Sequence, residues 1–152
     1  MRGPLALPDG SNLDVAVLTR NSERTLDACL SAIRRHISYH RLLVLDGGSG
    51  DRTLEIARRY GAEIYEAGGL AEARTAAFEL ADCPFIAFID SDVVIGGDWL
   101  PKLSKYFADP RVGAAHGIAV PADRERRQFF SFWIRLPYKS GGFHTCLLYT
   151  SA

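Results

Sequence analysis

Phe85-Ile86-Ala87-Phe88-Ile89-Asp90-Ser91-Asp92 is the stretch that decides the fold. An apolar run begins after Pro84 and stops at two acids separated by one serine. It is short and lacks helical spacing, so it reads as a strand buried on both faces. Such strands belong to parallel sheets covered by helices. In open α/β sheets, ligands bind beyond the carboxyl ends of the strands, which is where Asp90 and Asp92 fall. Residues two apart in an extended chain point the same way, roughly 6.5–7 Å apart. Two carboxylates at that spacing repel unless a cation intervenes. Mg²⁺ is suited to that place, because it commonly takes one or two carboxylates together with substrate phosphates. The same tripeptide can also be a plain turn, since Asp favours turns and helix N-caps.

The pattern continues on both sides of this strand. Leu13–Leu18 reads as a first strand, followed by a polar turn and a helix from Glu23 to about Ile37, capped by Asn21 or Ser22. Leu26, Cys29, Leu30 and Ile33 give that helix one apolar stripe. Leu42–Leu45 is a second buried strand ending at Asp46, and Gly47–Gly50 is a turn. Asp51 is placed to cap a helix that runs to Tyr60 and ends at Gly61. Glu63–Tyr65 is a third strand, and Leu70–Leu80 a helix carrying Arg74. Beyond the opening strand, Trp99–Phe107 reads as a helix, Val112–Val120 as a strand and Arg124–Arg135 as a helix. Strand–helix alternation of this kind predicts right-handed crossovers onto a parallel sheet.

Composition narrows the function classes. The chain has 152 residues, enough for one domain that buries about two-thirds of its unfolded surface. Lys+Arg and Asp+Glu number 18 each, so the overall charge gives no sign of a nucleic-acid partner. The three cysteines, Cys29, Cys83 and Cys146, form no Cys-x-x-Cys pair. That argues for a reducing compartment and against a structural zinc site. The opening ten residues are broken by Pro4 and Pro8 and do not read as a signal peptide. The expected location is cytoplasmic.

The polar residues after the strands converge. Thr19-Arg20-Asn21, Asp46 and Asp90-Ser91-Asp92 all follow strands that would be parallel, so one rim collects them. A base and ribose need hydrogen-bond acceptors, which Asp46 or Asp90 can supply. A diphosphate needs positive charge, from a metal on Asp92 and from the Arg74 guanidinium. Asp46 can alternatively serve only its own turn, and Arg74 can be a solvated helix residue. Gly47–Gly50 lacks Gly-x-Gly-x-x-Gly spacing and a Walker lysine, so Rossmann and P-loop readings fail.

Four blocks carry a family resemblance: Val15–Asn21, Val44–Thr53, Ala73–Ala77 and Phe88–Asp92. In this order, over about Leu13–Val120, they resemble a family 2 glycosyltransferase of the GT-A fold. The resemblance implies a Rossmann-like, mostly parallel sheet flanked by helices, with an incomplete C-terminal acceptor part. It implies inverting transfer of a sugar from a nucleotide-sugar to an acceptor hydroxyl. By the match, Asp46 meets the base, Arg74 lies near the nucleotide and Asp90 meets the ribose. Thr19 and Asn21 join the same donor site, and Asp92 holds Mg²⁺ or Mn²⁺ against the diphosphate.

It further implies a UDP-, GDP- or dTDP-sugar donor and a glycan or lipid-linked acceptor. The division expected is a flexible 1–10, a donor-binding core over 11–120 and the start of an acceptor-side region over 121–152. Two positions depart from the family pattern: Arg20 stands where a tyrosine is usual, and Gly47 where a second acid is usual.

No position matches the family's general base, so the catalytic residue is unassigned. Asp98, Asp109, Asp123 and Glu125 follow Asp92 but lack the matching context. Thr150 or Ser151 looks like an N-cap whose helix never arrives. The expectation is a fragment or truncated product. The alternative is an inactive module that binds nucleotide-sugars without transfer. Arg124–Arg135 alternates arginines with aromatics, which suits contact with the inner face of a membrane or packing on further protein. His144 lies near the expected rim; a lone histidine is more often structural. A nucleotidyltransferase ranks low, because Thr19–Glu23 holds no glycine.

Overall fold

A computed structural model describes residues 8–109 and 111–117 and the backbone of 147–150. Eleven elements follow in chain order. They are β1 (Leu13–Thr19), α1 (Leu26–His36), β2 (Leu42–Asp46), α2 (Thr53–Arg59), β3 (Glu63–Glu66), α3 (Leu70–Leu80) and β4 (Phe85–Asp90). Then come α4 (Trp99–Ser104), a 3₁₀ turn (Lys105–Ala108), β5 (Ala114–His116) and β6 (Leu147–Thr150). One six-stranded sheet has the order β3-β2-β1-β4-β6-β5.

The apolar runs explain the centre of the sheet. All seven residues of β1 and all five of β2 are buried. β1 pairs in parallel with β2 and with β4, and β2 pairs in parallel with β3. Alternate β1 side chains serve opposite faces. Leu13, Val15 and Val17 pack with Leu26, Cys29, Leu30 and Ile33 of α1 and Ile56 of α2. Ala16 and Leu18 pack with Ala73 and Ala77 of α3 on the other face. The split follows from handedness. The chain steps outward from β1 to β3, then returns past β1 to β4, and a right-handed crossover in the reversed direction lands on the opposite face.

Several expectations are corrected in detail. α1 begins at Leu26 rather than Glu23, because Ser22–Thr25 closes a turn in which the Ser22 carbonyl accepts N–H bonds from Thr25 (3.0 Å) and Leu26 (2.9 Å). The helix after Asp92 runs Trp99–Ser104 and tightens to 3₁₀ at Lys105. The strand expected over Val112–Val120 is only Ala114–His116, half to fully exposed and antiparallel to β6. β6 itself runs antiparallel beside β4, with Phe85 opposite Thr150. Thr150 is therefore the end of a strand and not a helix cap. The sheet is thus mixed: four parallel strands, then β6 reversed beside β4, and β5 beyond it running again in the direction of β4. The expected helix over 124–135 lies outside the described residues, as do His144, Asp123 and Glu125. Among the described residues, no helix is long and apolar enough to cross a membrane.

At the amino-terminal edge of the sheet, Arg41 ties three segments together. Its guanidinium donates to both Glu63 carboxylate oxygens (2.9 and 2.7 Å), to Asp82 (2.6 Å) and to the Leu80 carbonyl (2.7 Å). The Arg41 hydrogen bonds, with one from Tyr65, hold the Glu63 carboxyl down at about 2 and raise the Arg41 guanidinium above its ordinary value. Glu63 is 44% exposed, so solvent screening limits the pair to about 1 kcal/mol or less. A carboxyl depressed on folding stabilises above its ordinary pKa and loses that stabilisation as pH falls through the folded value. Glu63→Gln therefore lowers the melting temperature at pH 7, and the gap to wild type closes between about pH 4.5 and pH 2. A gap independent of pH in thermal melts would refute this role.

Candidate donor-binding site at the carboxyl rim

The strand order reverses between β1 and β4: β2 and β3 lie to one side of β1, and β4 to the other. At such a switch point the loops after the two strands diverge and leave a crevice, which is where open α/β sheets bind ligands. Register fixes what lines it. Thr19 of β1 stands beside Asp46 of β2, Asp46 beside Glu66 of β3, and Asp90 of β4 beside Leu18. The three strand ends expected to meet do meet.

The loops beyond them are hydrogen-bonded into one unit. Asp46 is buried, and its Oδ2 accepts the N–H groups of Gly48 (3.0 Å) and Ser49 (2.8 Å). Its Oδ1 accepts the Ser49 hydroxyl at 2.5 Å. The carboxylate thus shapes the Gly47–Gly50 turn, and Gly48 takes the left-handed backbone (φ 81°) that the turn requires. Asn21 also lies in the left-handed region (φ 48°), which Asn tolerates better than most residues. Its Oδ1 accepts the Gly50 N–H (2.9 Å), and its own N–H donates to Ser49 Oγ (2.8 Å). Asn21 therefore clamps the β1 loop to the β2 loop.

A second chain of bonds reaches β4. Ser22 N–H donates to Thr53 Oγ1 (2.7 Å), whose hydroxyl donates to Asp51 Oδ1 (2.5 Å). Asp51 Oδ1 also accepts the Thr53 N–H (3.0 Å) and Oδ2 the Glu23 N–H (3.1 Å). These bonds, led by the Thr53 hydroxyl, pull the Asp51 carboxyl below its usual range. The N-cap of α2 is Arg52 and not Asp51 as the sequence suggests; Asp51, one residue earlier, accepts the first helical N–H, from Thr53, and anchors the β1 loop. Ser22 Oγ and Ser91 Oγ lie 2.8 Å apart, joining the β1 loop to the Asp90–Asp92 turn. The Asp90 carbonyl accepts the Val93 N–H (3.0 Å), closing that turn. Ser22, Ser49, Asp51, Thr53 and Ser91 were not singled out by sequence reasoning as site-building residues. Their bonds span 28 to 69 residues of chain, and no local pattern announces such partners.

Other groups face outward. Asp92 is exposed, Asp90 half-buried and Arg74 half-buried, about one turn into α3. Thr19 Oγ1 and Arg74 Nε are buried with no hydrogen-bond partner among the described residues. Polar atoms placed so usually answer to something bound. The two departures from the family pattern are neighbours: a Cβ on Gly47 would lie 3.3 Å from Arg20 Cδ, so the arginine stem covers the glycine. Among the described residues, the acids that follow Asp92 are otherwise engaged. Asp98 pairs with Lys102, and Asp109 with Arg111 at 2.8 Å. Hydrogen bonds from those cations lower both carboxyls, the wrong direction for a general base working near neutral pH.

Comparison with known proteins agrees with this geometry. Residues 14–147 match the pattern of Glycosyl transferase family 2. The chain belongs to that family. An N-acetylglucosaminyltransferase of Rhizobium sp. (strain N33) is 30% identical over 111 residues, 66% of this chain and 25% of the relative. A second N-acetylglucosaminyltransferase, from Bradyrhizobium elkanii, is 29% identical over 125 residues, 74% of this chain and 69% of the relative. Glucosyl-3-phosphoglycerate synthase of Mycobacterium tuberculosis, solved with UDP, superimposes with a TM-score of 0.68 at 18% identity, covering 91% of this chain and 56% of that one. A mannosyltransferase of Pyrobaculum calidifontis, solved with GDP-Man and Mn²⁺, gives 0.65 at 24% identity, covering 83% and 41%. These structures share the GT-A glycosyltransferase fold expected from the sequence. This chain spans from a quarter to about two-thirds of the lengths of the two N-acetylglucosaminyltransferases.

The role of Asp46 in the turn is open to direct measurement. Asp46→Asn puts an amide NH₂ against donors and leaves buried N–H or O–H groups unsatisfied, a loss of about 1–3 kcal/mol. Urea unfolding measures it, and an unchanged midpoint would show that the turn does not depend on the carboxylate.

Proposed function

We propose that the chain is the donor-binding part of an inverting, metal-dependent glycosyltransferase, taking a nucleoside diphosphate-sugar into the crevice between the β1 and β4 loops. The observation that carries the reading is the pairing of unspent polar groups with an exposed acid at the switch point. Thr19 Oγ1 and Arg74 Nε lack partners, and Asp92 enters no ion pair among the described residues. The donor-binding unit is assigned to residues 11–120, with the acceptor side from 121 onward.

Each residue has a role that its surroundings permit. Asp46, spent on its turn, acts on the base through the loop it shapes, so the base lies against the 47–50 backbone beneath Arg20. Arg20 is free to stack on a base with its guanidinium plane. Asp90 takes the ribose hydroxyls, Thr19 a nucleotide oxygen, and Arg74 the phosphates as a charge-assisted donor. Asn21 holds the loop in place. The oxygen donor of Asp92 suits a hard cation, Mg²⁺ or Mn²⁺, completed by diphosphate oxygens. When bound, that cation neutralises the charge that grows on the departing diphosphate. UDP, GDP-Man and UDP-GlcNAc occupy structures of the same fold, which supports a nucleotide-sugar as the donor class. The acceptor is a glycan or lipid-linked hydroxyl, and the group that takes its proton is assigned to residues other than Asp98 and Asp109.

Mn²⁺ with a nucleoside diphosphate is expected to raise the melting temperature, because a ligand that binds only the folded state stabilises it. Asp92→Ala, at an exposed position, leaves the unliganded melting temperature near wild type and abolishes the Mn²⁺-dependent shift. Arg74→Ala weakens the shift in proportion to lost phosphate binding. No shift with UDP, GDP or dTDP in the wild-type chain would sink the donor-site reading.

A further inference from the structure

The opposite end of the sheet holds a second group of potential ligands. Asp14 lies at the start of β1, Cys83 two residues before β4, and His40 in the connection between α1 and β2. One ligating atom from each lies within 4.8 Å of the others. The backbone enforces the meeting. His40 N–H donates to the Leu13 carbonyl (2.8 Å), and Asp14 Oδ2 accepts the N–H groups of Asp82 (2.8 Å) and Cys83 (3.1 Å).

Asp14 is unusual on its own account. It is completely buried, and its Oδ1 has no nitrogen or oxygen to bond to. A buried carboxylate without a partner cation is costly. The nearby guanidinium of Arg41 is committed elsewhere, to Glu63 (2.7 Å) and Asp82 (2.6 Å). Asp14 forms no ion pair among the described residues. The Cys83 thiol beside it faces the Asp14 carboxylate as a side-chain hydrogen-bond partner and makes a long contact to the Ser11 carbonyl, at 4.0 Å. A cleft of about 370 Å³, lined by Phe78, Asp82, Cys83 and Pro84, opens the thiol side to solvent.

We propose that Asp14, His40 and Cys83 form a zinc site that fastens the amino-terminal ends of β1 and β4 to the α1–β2 connection. The donor set decides the metal. One carboxylate oxygen, one imidazole nitrogen and one thiolate suit borderline-soft Zn²⁺ and exclude Mg²⁺ or Ca²⁺, which want oxygen alone. Zinc bonds of roughly 2.0–2.3 Å place tetrahedral ligand atoms about 3.3–3.8 Å apart. The three atoms therefore close by about 1.5 Å at most, within reach of rotations at exposed His40 and half-buried Cys83. Binding releases the thiol proton to solvent, and water or a further ligand takes the fourth position. The site lies at the opposite strand ends from Asp92 and is independent of the donor-site reading. It also revises the expectation, drawn from cysteine spacing, that no structural zinc is bound: the ligands are gathered by the fold and not by a motif.

The test uses the 152-residue chain stripped by chelator and dialysed against Zn²⁺ alone. The expected result is one bound equivalent, and a melting temperature raised by about 5–10 °C at hundredfold excess over Kd. Co²⁺ in place of zinc gives a thiolate-to-cobalt charge-transfer band. His40→Ala, at an exposed position, weakens zinc binding at least about tenfold while preserving the metal-free melting temperature. Cys83→Ser removes the charge-transfer band, and Asp92→Ala changes neither stoichiometry nor spectrum. The proposal is overturned if no equivalent binds, if His40→Ala binds zinc as tightly as wild type, if the band survives Cys83→Ser, or if Asp92→Ala abolishes binding.

Discussion

Everything else in this molecule depends on β1 being buried on both faces between β2 and β4. Seven consecutive buried residues cannot leave backbone groups unpaired, so both edges of β1 must be filled by neighbouring strands. The register is then fixed by the alternation of its side chains. A slip by one residue would send Val15 and Val17 to the α3 face and Ala16 and Leu18 to the α1 face, where neither set fits. With the register fixed, Thr19, Asp46 and Asp90 are delivered to one rim without any direct bond between them.

The acids of that rim divide by surroundings, not by residue type. Asp46 and Asp51 turn inward and spend their oxygens on N–H and O–H groups of the loops. Asp98 and Asp109 are neutralised by basic residues four and two positions on. Asp92 points into solvent with its charge unpaired among the described residues. Asp46 and Asp51 thus build the walls, Asp98 and Asp109 beyond the rim are surface pairs, and Asp92, two residues after half-buried Asp90, is left able to meet a cation. Arg20 and Gly47 show the same economy of space. Replacing a larger residue by glycine at 47 leaves room that the Arg20 stem fills, so the two departures from the family pattern are one change in packing.

The two ends of the sheet do different work. At the carboxyl end, loops are joined by hydroxyl and amide bonds, Ser22 to Ser91 and Asn21 to Gly50, together with the Asp51 carboxylate, while Asp92 is left unpaired among the described residues. At the amino end, the joints are ionic. Arg41 gathers Glu63, Asp82 and the end of α3, and Asp14 collects the turn before β4. The rigid end holds the strands in place so that the polar rim stays aligned.

Much of this was legible in the residues. The short apolar runs ending in polar residues marked three of the four parallel strands, β1, β2 and β4, because burial on both faces leaves no alternation to mistake. The positions of α1, α2 and α3 followed from one-sided apolar spacing and from Gly61. What stayed hidden was of two kinds. β5 and β6 are short, and their pairing joins segments more than thirty residues apart, so local pattern could not reveal that β6 runs antiparallel between β4 and β5. The assignment of each polar side chain was hidden too. Asp46 and Asp92 read alike in the sequence, each an acid at or just beyond a strand end. Only the folded chain decides that one is spent on its own turn and the other is not, and only it brings Asp14, His40 and Cys83 together. The sequence alone settled that the apolar runs of β1, β2 and β4 are buried, because unbroken apolar runs have no polar face to turn to water. The tertiary structure alone decided which polar groups remain unsatisfied, because a hydrogen bond depends on whatever other segment happens to arrive beside it.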